Sequence, residues 1–285
     1  MTVRQLLAGY RGSRVHVLPN PGNGGDGLIQ LGLRRLCAEF DLRVCELYSP
    51  QSARGELLLA PGAGNLSAAY HSVAERIDPY LNSFRTVCIL PTSVQTDVPA
   101  VQRFLRHLPH GAHVFCRETV SLAQVRALLG DAASVHLDHD LAFEADLRPW
   151  ARPGYGTLYA FRSDPESLDE PIPPGNFDVS GITGEWMAEL LLDVVASHAV
   201  VHTDRAHVAI AAALLGRDTH LYATSYHKMR GIHEHSLAGY ANVQFHERHG
   251  TLAHPVAGGG DDPRHAVWRR RAAALMGVRA AEGFA

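Results

Sequence analysis

Short apolar runs alternate with segments of helical periodicity along the first half of this chain. The helical segment near 28–40 is representative: Leu28, Ile29, Leu33 and Leu36 form an apolar stripe, with charged residues opposite. Strand-like runs lie near 14–18, 43–48, 57–60, 86–90, 113–116 and 134–137, and helices near 28–40, 68–82, 98–107 and 119–129. This alternation predicts α/β architecture, a doubly wound parallel sheet with right-handed helical crossovers.

A second series of the same kind begins after Pro149, Pro153, Gly154 and Gly156. Strands are predicted near 157–161, 199–203, 219–223 and 243–247, helices near 183–196, 205–216 and 264–276, a Pro-rich loop from 165 to 174, and a linker over 258–263. We therefore predict two Rossmann-like domains facing a cleft, over 1–150 and 151–260. A C-terminal helix over 261–285 is expected to pack back on the body.

The composition narrows the class of protein. Hydrophobic residues make up 46% of the 285 residues, charged residues 19%, and the net charge is −3, so the chain has no broad basic field and nucleic-acid binding is not expected. No apolar run reaches the roughly 20 residues of a membrane span, and residues 1–9 turn polar too soon for a signal peptide. The four scattered cysteines lie in apolar segments, which predicts reduced, buried thiols in a cytoplasmic protein.

Histidine is the compositional outlier, with 18 residues. Two clusters combine histidines with aspartates: His136, Asp138, His139 and Asp140, and then His202, Asp204 and His207. Neither has the spacing of a recognisable zinc site, so we predict no metal.

Two later segments place cations at predicted helix N-termini. Arg205 and His207 follow the strand near 199–203, and Lys228 and Arg230 follow the strand near 219–223. The helix macrodipole disfavours cations there, and a bound phosphate or carboxylate would explain them. The simpler alternative is that Thr203, Asp204 and Ser225 cap the helices while the cations point into water. Two consecutive turns of this kind favour the anion site.

Arg117 and Glu118 repeat this arrangement in the first half of the chain. Their alternative interpretation is structural, because Glu118 suits a first helical turn and Arg117 can pair with it for little energy.

The residues that follow the predicted strands form a polar, glycine-rich edge, at 20–27, 61–65 and 91–95. Gly22, Gly24 and Gly27 match the dinucleotide-binding fingerprint, and Glu46 lies at the distance of a ribose-binding acid. Asp26 falls within the turn that would cradle the pyrophosphate and would repel it, so a dehydrogenase is a minor alternative. Asn23 and Asp26 fit better as groups that orient a hydroxyl-rich acceptor or act as a base; the glycines alone would only make tight turns.

Taken together, these segments resemble the polysaccharide pyruvyl transferase family. The matching segments are Gly22–Asp26, Pro61–Leu66, Leu90–Pro91 with Gln95, Phe115–Glu118, Leu137–Phe143, Thr203–His207 and Ser225–Gly231. The resemblance implies a two-domain fold similar to B-type glycosyltransferases. It also implies transfer of the enolpyruvyl group of phosphoenolpyruvate onto two hydroxyls of a sugar, giving a pyruvate ketal.

The resemblance implies roles for eleven residues, with the acceptor on the N-terminal domain and the anionic donor on the C-terminal one. His207 and Asp26 are the expected catalytic residues. Expected substrate contacts come from Arg205, Lys228, Arg230, Arg117, Glu118, Asn23, Asn65, Ser225 and Tyr226. No cofactor is implied besides phosphoenolpyruvate as co-substrate.

Alternatives remain open for activity and partners. A nucleotide-sugar-dependent glycosyltransferase of surface-polysaccharide biosynthesis would use the same scaffold, and a non-catalytic sugar- or anion-binding partner of a biosynthetic complex would need no acid or base. The acceptor is a saccharide or a lipid-linked saccharide, and a homo-oligomer is an open possibility. The arginine-rich C-terminal helix would cover the other domain, contact a second subunit or touch the inner face of an acidic membrane; we favour the first.

Overall fold

The computed structural model describes residues 1–20, 22–50, 53–168, 170–181, 187–250 and 262–281. The chain forms two compact units. Unit 1 comprises Met1–Pro21, Ile29–Asp146 and Arg230–Leu237, and unit 2 comprises Gly22–Leu28, Leu147–Met229 and Ala238–Ala285. Gly22–Leu28, which the sequence analysis assigned to the first domain, therefore belongs to the second unit. Both units are α/β with parallel sheets, which confirms the predicted α/β class.

Unit 1 contains a seven-stranded parallel sheet in the order β2-β1-β3-β5-β6-β7, with β4 paired to β5. The strands are β1 Arg14–Val17, β2 Arg43–Glu46, β3 Gly55–Ala60, β4 Ala63–Leu66, β5 Phe84–Val94, β6 Ala112–Cys116 and β7 Ala133–Leu137. The helices are α1 Val3–Ala8, α2 Gly24–Glu39, α3 Ser72–Ile77, α4 Pro99–His107 and α5 Thr119–Leu129; α2 begins in the Gly22–Leu28 segment of unit 2. The predicted helix near 68–82 is shorter, because Pro79 opens a 3₁₀ helix over Asp78–Ser83.

The core of unit 1 lies on both faces of its sheet. On β3, Leu57 and Leu59 pack with residues of α1 and α2, whereas Leu58 and Ala60 pack with residues of α3, α4 and α5. Successive strand side chains point to opposite faces, so a strand that is apolar at every position is covered by helices on both. This is the doubly wound arrangement that the sequence predicted.

Unit 2 contains a four-stranded parallel sheet in the order β11-β10-β9-β8. The strands are β8 Thr157–Ala160, β9 Val200–Thr203, β10 Asp218–Tyr222 and β11 Val243–His246; the helices are α6 Ala188–Ala196, α7 Ala206–Leu214 and α9 Pro263–Ala281. A further short helix, α8 Lys228–Ile232, continues as a π-helix over His233–Leu237 and carries the chain into unit 1. Residues 183–186 of a predicted helix and 258–261 of the predicted linker lie outside the described residues. Among those described, no helix combines the length and apolarity needed to cross a membrane.

One prediction about the cysteines is wrong. Cys37, Cys88 and Cys116 are buried free thiols, but Cys45 is exposed. Cys45 lies on β2, the edge strand of the unit 1 sheet, where all four residues are exposed. The apolar run near 43–48 is an edge strand rather than a core strand, and a short run alone does not distinguish the two.

Candidate functional site

The turn between β9 and α7 carries the most specific predicted motif. The Thr203 hydroxyl donates to the Ala160 carbonyl at 2.8 Å and accepts from the Arg205 amide at 2.9 Å. Asp204 is fully buried, and its Oδ1 accepts from the Arg162 amide at 2.8 Å. These bonds tie the turn to the end of β8, the neighbouring strand, and fix the direction of the side chains that follow.

Arg205 directs its guanidinium at two carboxylates of unit 2. Its Nε and Nη2 donate to the two oxygens of Asp178 at 2.9 and 2.5 Å, and its Nη1 lies 2.7 Å from Asp164 Oδ2. Two parallel N–H···O bonds to one carboxylate form the strong, bidentate kind of pair. All three guanidinium nitrogens therefore contact carboxylates.

The ion pairs continue beyond Arg205. Arg162 donates to Asp164 at 2.7 and 3.0 Å and also pairs with Glu166. Glu166 in turn pairs with Lys228 and accepts from the Tyr226 hydroxyl at 3.0 Å. We call the alternating series Lys228, Glu166, Arg162, Asp164, Arg205 and Asp178 the charge network.

Neighbouring cations lower the pKa values of two carboxylates in the charge network. Burial opposes ionisation, yet the hydrogen bond from Arg162 and the neighbouring cations hold the pKa of Asp164 well below its usual range. Burial likewise opposes ionisation of Glu166, but the charges of Lys228 and Arg162 lower its pKa. The carboxylates of Asp164 and Glu166 therefore pair with the cations of Arg162, Arg205 and Lys228. The sequence predicted that Arg205 and Lys228 bind an anionic substrate, whereas in the structure both pair with carboxylates of the protein. A substrate role for them would require these pairs to open.

Asp204 behaves differently from the carboxylates of the network. Burial raises the pKa of its carboxyl to about 6, against the hydrogen bond from the Arg162 amide and the charges of Arg162 and Arg205. Its Oδ2 is buried and has no hydrogen-bond partner among the described residues. The effect of desolvation on the pKa of Asp204 therefore exceeds the opposing effect of the Arg162 and Arg205 guanidinium groups.

His207 lies against the start of α2 within unit 2. It is half-buried in the first turn of α7, and a β-carbon built on Gly25 would come within 2.2 Å of His207 Nδ1. Only glycine allows this close approach. Two segments far apart in the sequence, Gly22–Asp26 and Thr203–His207, are thus brought into contact.

Asn23 and Asp26 form a reciprocal cap at the start of α2. Asn23 Oδ1 accepts from the Gly25 amide at 2.8 Å and from the Asp26 amide at 3.4 Å, while Asp26 Oδ2 accepts from the Asn23 amide at 2.9 Å. This is the pattern of a capping box. The cap gives both side chains a structural task, and their acceptor-binding and catalytic roles stay predictions.

Arg117 and Glu118 also have structural partners, within unit 1. Arg117 is buried and donates to Ser93 Oγ at 2.9 Å and to Asp140 Oδ2 at 2.6 Å. Glu118 is fully buried and caps α5, accepting from the amides of Val120 and Ser121 at 2.7 and 2.9 Å. Glu118 in the first turn of a helix was the structural alternative for this pair, and Arg117 pairs with Asp140.

The remaining predicted contacts are spread over both units. Asn65 lies on β4 in unit 1, and its Nδ2 donates to the Gly62 carbonyl at 2.6 Å. Ser225, in unit 2, and Arg230, on α8, are exposed to solvent. Exposure leaves the hydroxyl of Ser225 and the guanidinium of Arg230 accessible from solution.

Sequence reasoning missed the acidic half of the charge network. Arg162, Asp164 and Glu166 alternate directly after β8, and of the three only Glu166 falls within the predicted Pro-rich loop over 165–174. Charged residues at alternate positions immediately after a buried parallel strand were the available signal, because ligands and polar clusters collect at that edge of a sheet.

No family model and no curated protein matches this chain. A solved structure from Klebsiella pneumoniae subsp. pneumoniae NTUH-K2044, described as a functionally uncharacterized protein, is similar to it with a TM-score of 0.71 and 25% sequence identity. The similarity covers 86% of this chain and 97% of that one. It supports the fold over most of the chain and attaches no activity to it.

Proposed function

We propose that this chain is a pyruvyl transferase that moves the enolpyruvyl group of phosphoenolpyruvate onto two hydroxyls of a glycan-precursor sugar. The proposal includes two Rossmann-like units arranged as in B-type glycosyltransferases, with the donor on unit 2. The contact of Gly25 with the ring of His207 carries it. Gly22–Asp26 and Thr203–His207, two of the segments that carry the resemblance, meet at this contact. Residues that form one active site must lie close together in this way.

His207 is the proposed acid in this mechanism. A protonated imidazole delivers a proton to C3 of phosphoenolpyruvate, which leaves an oxocarbenium-like centre at C2. One sugar hydroxyl adds to C2, and its proton returns to His207. The C2–O bond to phosphate then breaks, the second hydroxyl adds to C2, and its proton goes to the departing phosphate. The products are the cyclic ketal and inorganic phosphate, so atoms and charges balance.

The charge network has a positioning task in this scheme, because Arg205 holds the turn that presents His207, and Lys228 and Tyr226 hold the loop that presents Ser225.

Thermal-shift measurements with the full chain test the donor. Phosphoenolpyruvate at a concentration of 100 Kd is expected to stabilise the fold by about 2.7 kcal/mol, since a ligand that binds only the folded state stabilises it. UDP and GDP are expected to leave the melting temperature unchanged. Stabilisation by UDP or GDP instead would favour the glycosyltransferase alternative. If none of the three compounds changes the melting temperature, phosphoenolpyruvate is not the donor and the proposal fails.

A variant pair tests the acid. His207→Gln is expected to lower phosphate release, measured with phosphoenolpyruvate and a panel of saccharide acceptors, by about 10²-fold or more. The matched control is His71→Gln, at an exposed histidine of unit 1. Equal activity of His207→Gln and wild type, with both folded by circular dichroism, would contradict the proposed mechanism.

A further inference from the structure

Two histidines and an aspartate of unit 2 bring metal-ligating atoms together. His198 follows α6, and Asp262 and His265 flank the start of α9. One ligand atom of each lies within 4.8 Å of the others. His198 is fully buried and His265 nearly so, which separates this group from ordinary acidic surface clusters.

The hydrogen bond of His198 fixes which ring nitrogen faces the group. Nδ1 lies 2.8 Å from the Val194 carbonyl, and since a carbonyl only accepts, Nδ1 carries the proton. In a neutral ring Nε2 then presents a lone pair. A backbone carbonyl that holds the other nitrogen is the usual support of a metal-binding histidine.

The lone pair on His198 Nε2 has nothing to bind among the described residues. Nε2 is buried without a hydrogen-bond partner and lies 3.6 Å from Asp262 Oδ2. Both atoms are electron-pair donors, and a cation placed between them would satisfy both.

Contacts with neighbouring residues fix the positions of Asp262 and His265, the other two candidate metal ligands. Arg264 Nε donates to both oxygens of the Asp262 carboxylate and fixes its position. Arg264 donates to Oδ2 at 2.8 Å through Nε, and an ion at Oδ2 would share that oxygen with the guanidinium or displace it. The ring of His265 stacks on Phe177 at 5.0 Å, and the His265 amide donates to the Asp262 carbonyl at 2.8 Å.

We propose that His198, Asp262 and His265 bind one divalent first-row transition-metal ion, with Zn²⁺ as the best chemical match. Two neutral imidazoles and one carboxylate form a ligand set that such ions accept, with a further position for water. The ion ties the start of α9 to the end of α6. It also revises the sequence expectation of no metal: His198 lies far from Asp262 and His265 in the sequence, so spacing alone did not connect them.

Cobalt titration of the full chain, stripped with a chelator, tests the proposal. One Co²⁺ per chain is expected to bind with visible d–d absorption and to be displaced by Zn²⁺. Trp268, 5.8 Å from the His265 ring and 5.6 Å from the His198 ring, is expected to lose fluorescence as Co²⁺ binds. Trp268→Phe identifies the tryptophan that is quenched. Absence of a one-to-one cobalt complex would overturn the proposal.

Variants assign the ion to these residues. His265→Gln and Asp262→Asn are each expected to weaken Co²⁺ binding by at least about 10-fold, as the loss of a metal-site group does. His107→Gln is the matched control, because His107 and Asp78 form an exposed His–Asp pair elsewhere in the chain. If both site variants fold, by circular dichroism, and bind Co²⁺ as tightly as wild type, the ion lies elsewhere and the proposal fails. If His265→Gln does not fold, Asp262→Asn decides.

Discussion

Arg117 in unit 1 and Arg205 in unit 2 occupy equivalent places in their folds. Each follows a parallel strand, β6 or β9, and precedes a helix, α5 or α7. Arg117 pairs with Asp140, and both side chains are 1% exposed. Arg205 pairs with Asp164 and Asp178, which are 21% and 16% exposed, and Asp164 is shared with Arg162. The same sequence signal, a cation at a helix N-terminus, thus leads to a fully buried pair in one unit and to a partly exposed network of ion pairs in the other.

The largest effect is expected from breaking the buried pair. Arg117→Met removes the guanidinium that donates to the buried carboxylate of Asp140 at 2.6 Å and is expected to cost about 3–5 kcal/mol. Urea unfolding followed by circular dichroism measures the loss. Arg85→Met removes an exposed pair with Glu56 and is expected to change stability by less than about 1 kcal/mol. Equal losses in the two variants would mean that burial does not decide the strength of the pair.

A pH effect of nearly this size is expected at Asp204. Its folded-state pKa of about 6 lies above the reference value of 3.8, so its contribution to stability is fully present below pH 3.8 and is lost as the pH rises through 6. Asp204→Asn removes the titration. Relative to wild type, the variant is expected to gain about 3 kcal/mol between pH 4 and pH 7.

Unfolding free energies across that pH range measure the gain. Asp41→Asn, at an exposed aspartate of unit 1, is the control. A pH-dependent difference for Asp204→Asn no larger than that for Asp41→Asn would contradict the raised pKa.

A smaller effect is expected from breaking the network at Arg205. Arg205→Met leaves Asp164 paired with Arg162, and Asp178 remains partly hydrated. The expected cost is therefore about 2 kcal/mol, below that of Arg117→Met. The same urea titration compares the two variants; a loss at Arg205 that exceeds the loss at Arg117 would reverse the comparison.

The sequence predicted the fold better than the site. Apolar runs at β1, β3, β5, β6 and β7 and helical stripes at α2, α4 and α5 are local signals, and each corresponds to an element of unit 1. β4 was missed because Ala63–Leu66 is short and contains glycine, and it forms only by pairing with the far end of β5. Periodicity reports which face of an element is buried, but it does not report which element lies beside it.

The same limit explains why the contacts within the candidate site were not predicted from the sequence. The sequence placed Arg205 and Lys228 correctly after strands, but their partners Asp178 and Glu166 come from segments that only the fold brings near. The contact of Gly25 with His207 was likewise invisible, because nothing local links the two segments. Glu118 as a cap was foreseen as an alternative, since a cap depends on residues only two and three positions away.

The exposed position of Cys45 gives the native molecule a single chemical handle. Burial raises the pKa of the Cys37 thiol to about 11 and raises those of Cys88 and Cys116 as well, so thiolate at these three positions is scarce in the folded state. A maleimide dye therefore attaches to one strand at the margin of unit 1, and the other three thiols react only as their surroundings open. The number of labels on each chain consequently reports the extent to which unit 1 has unfolded.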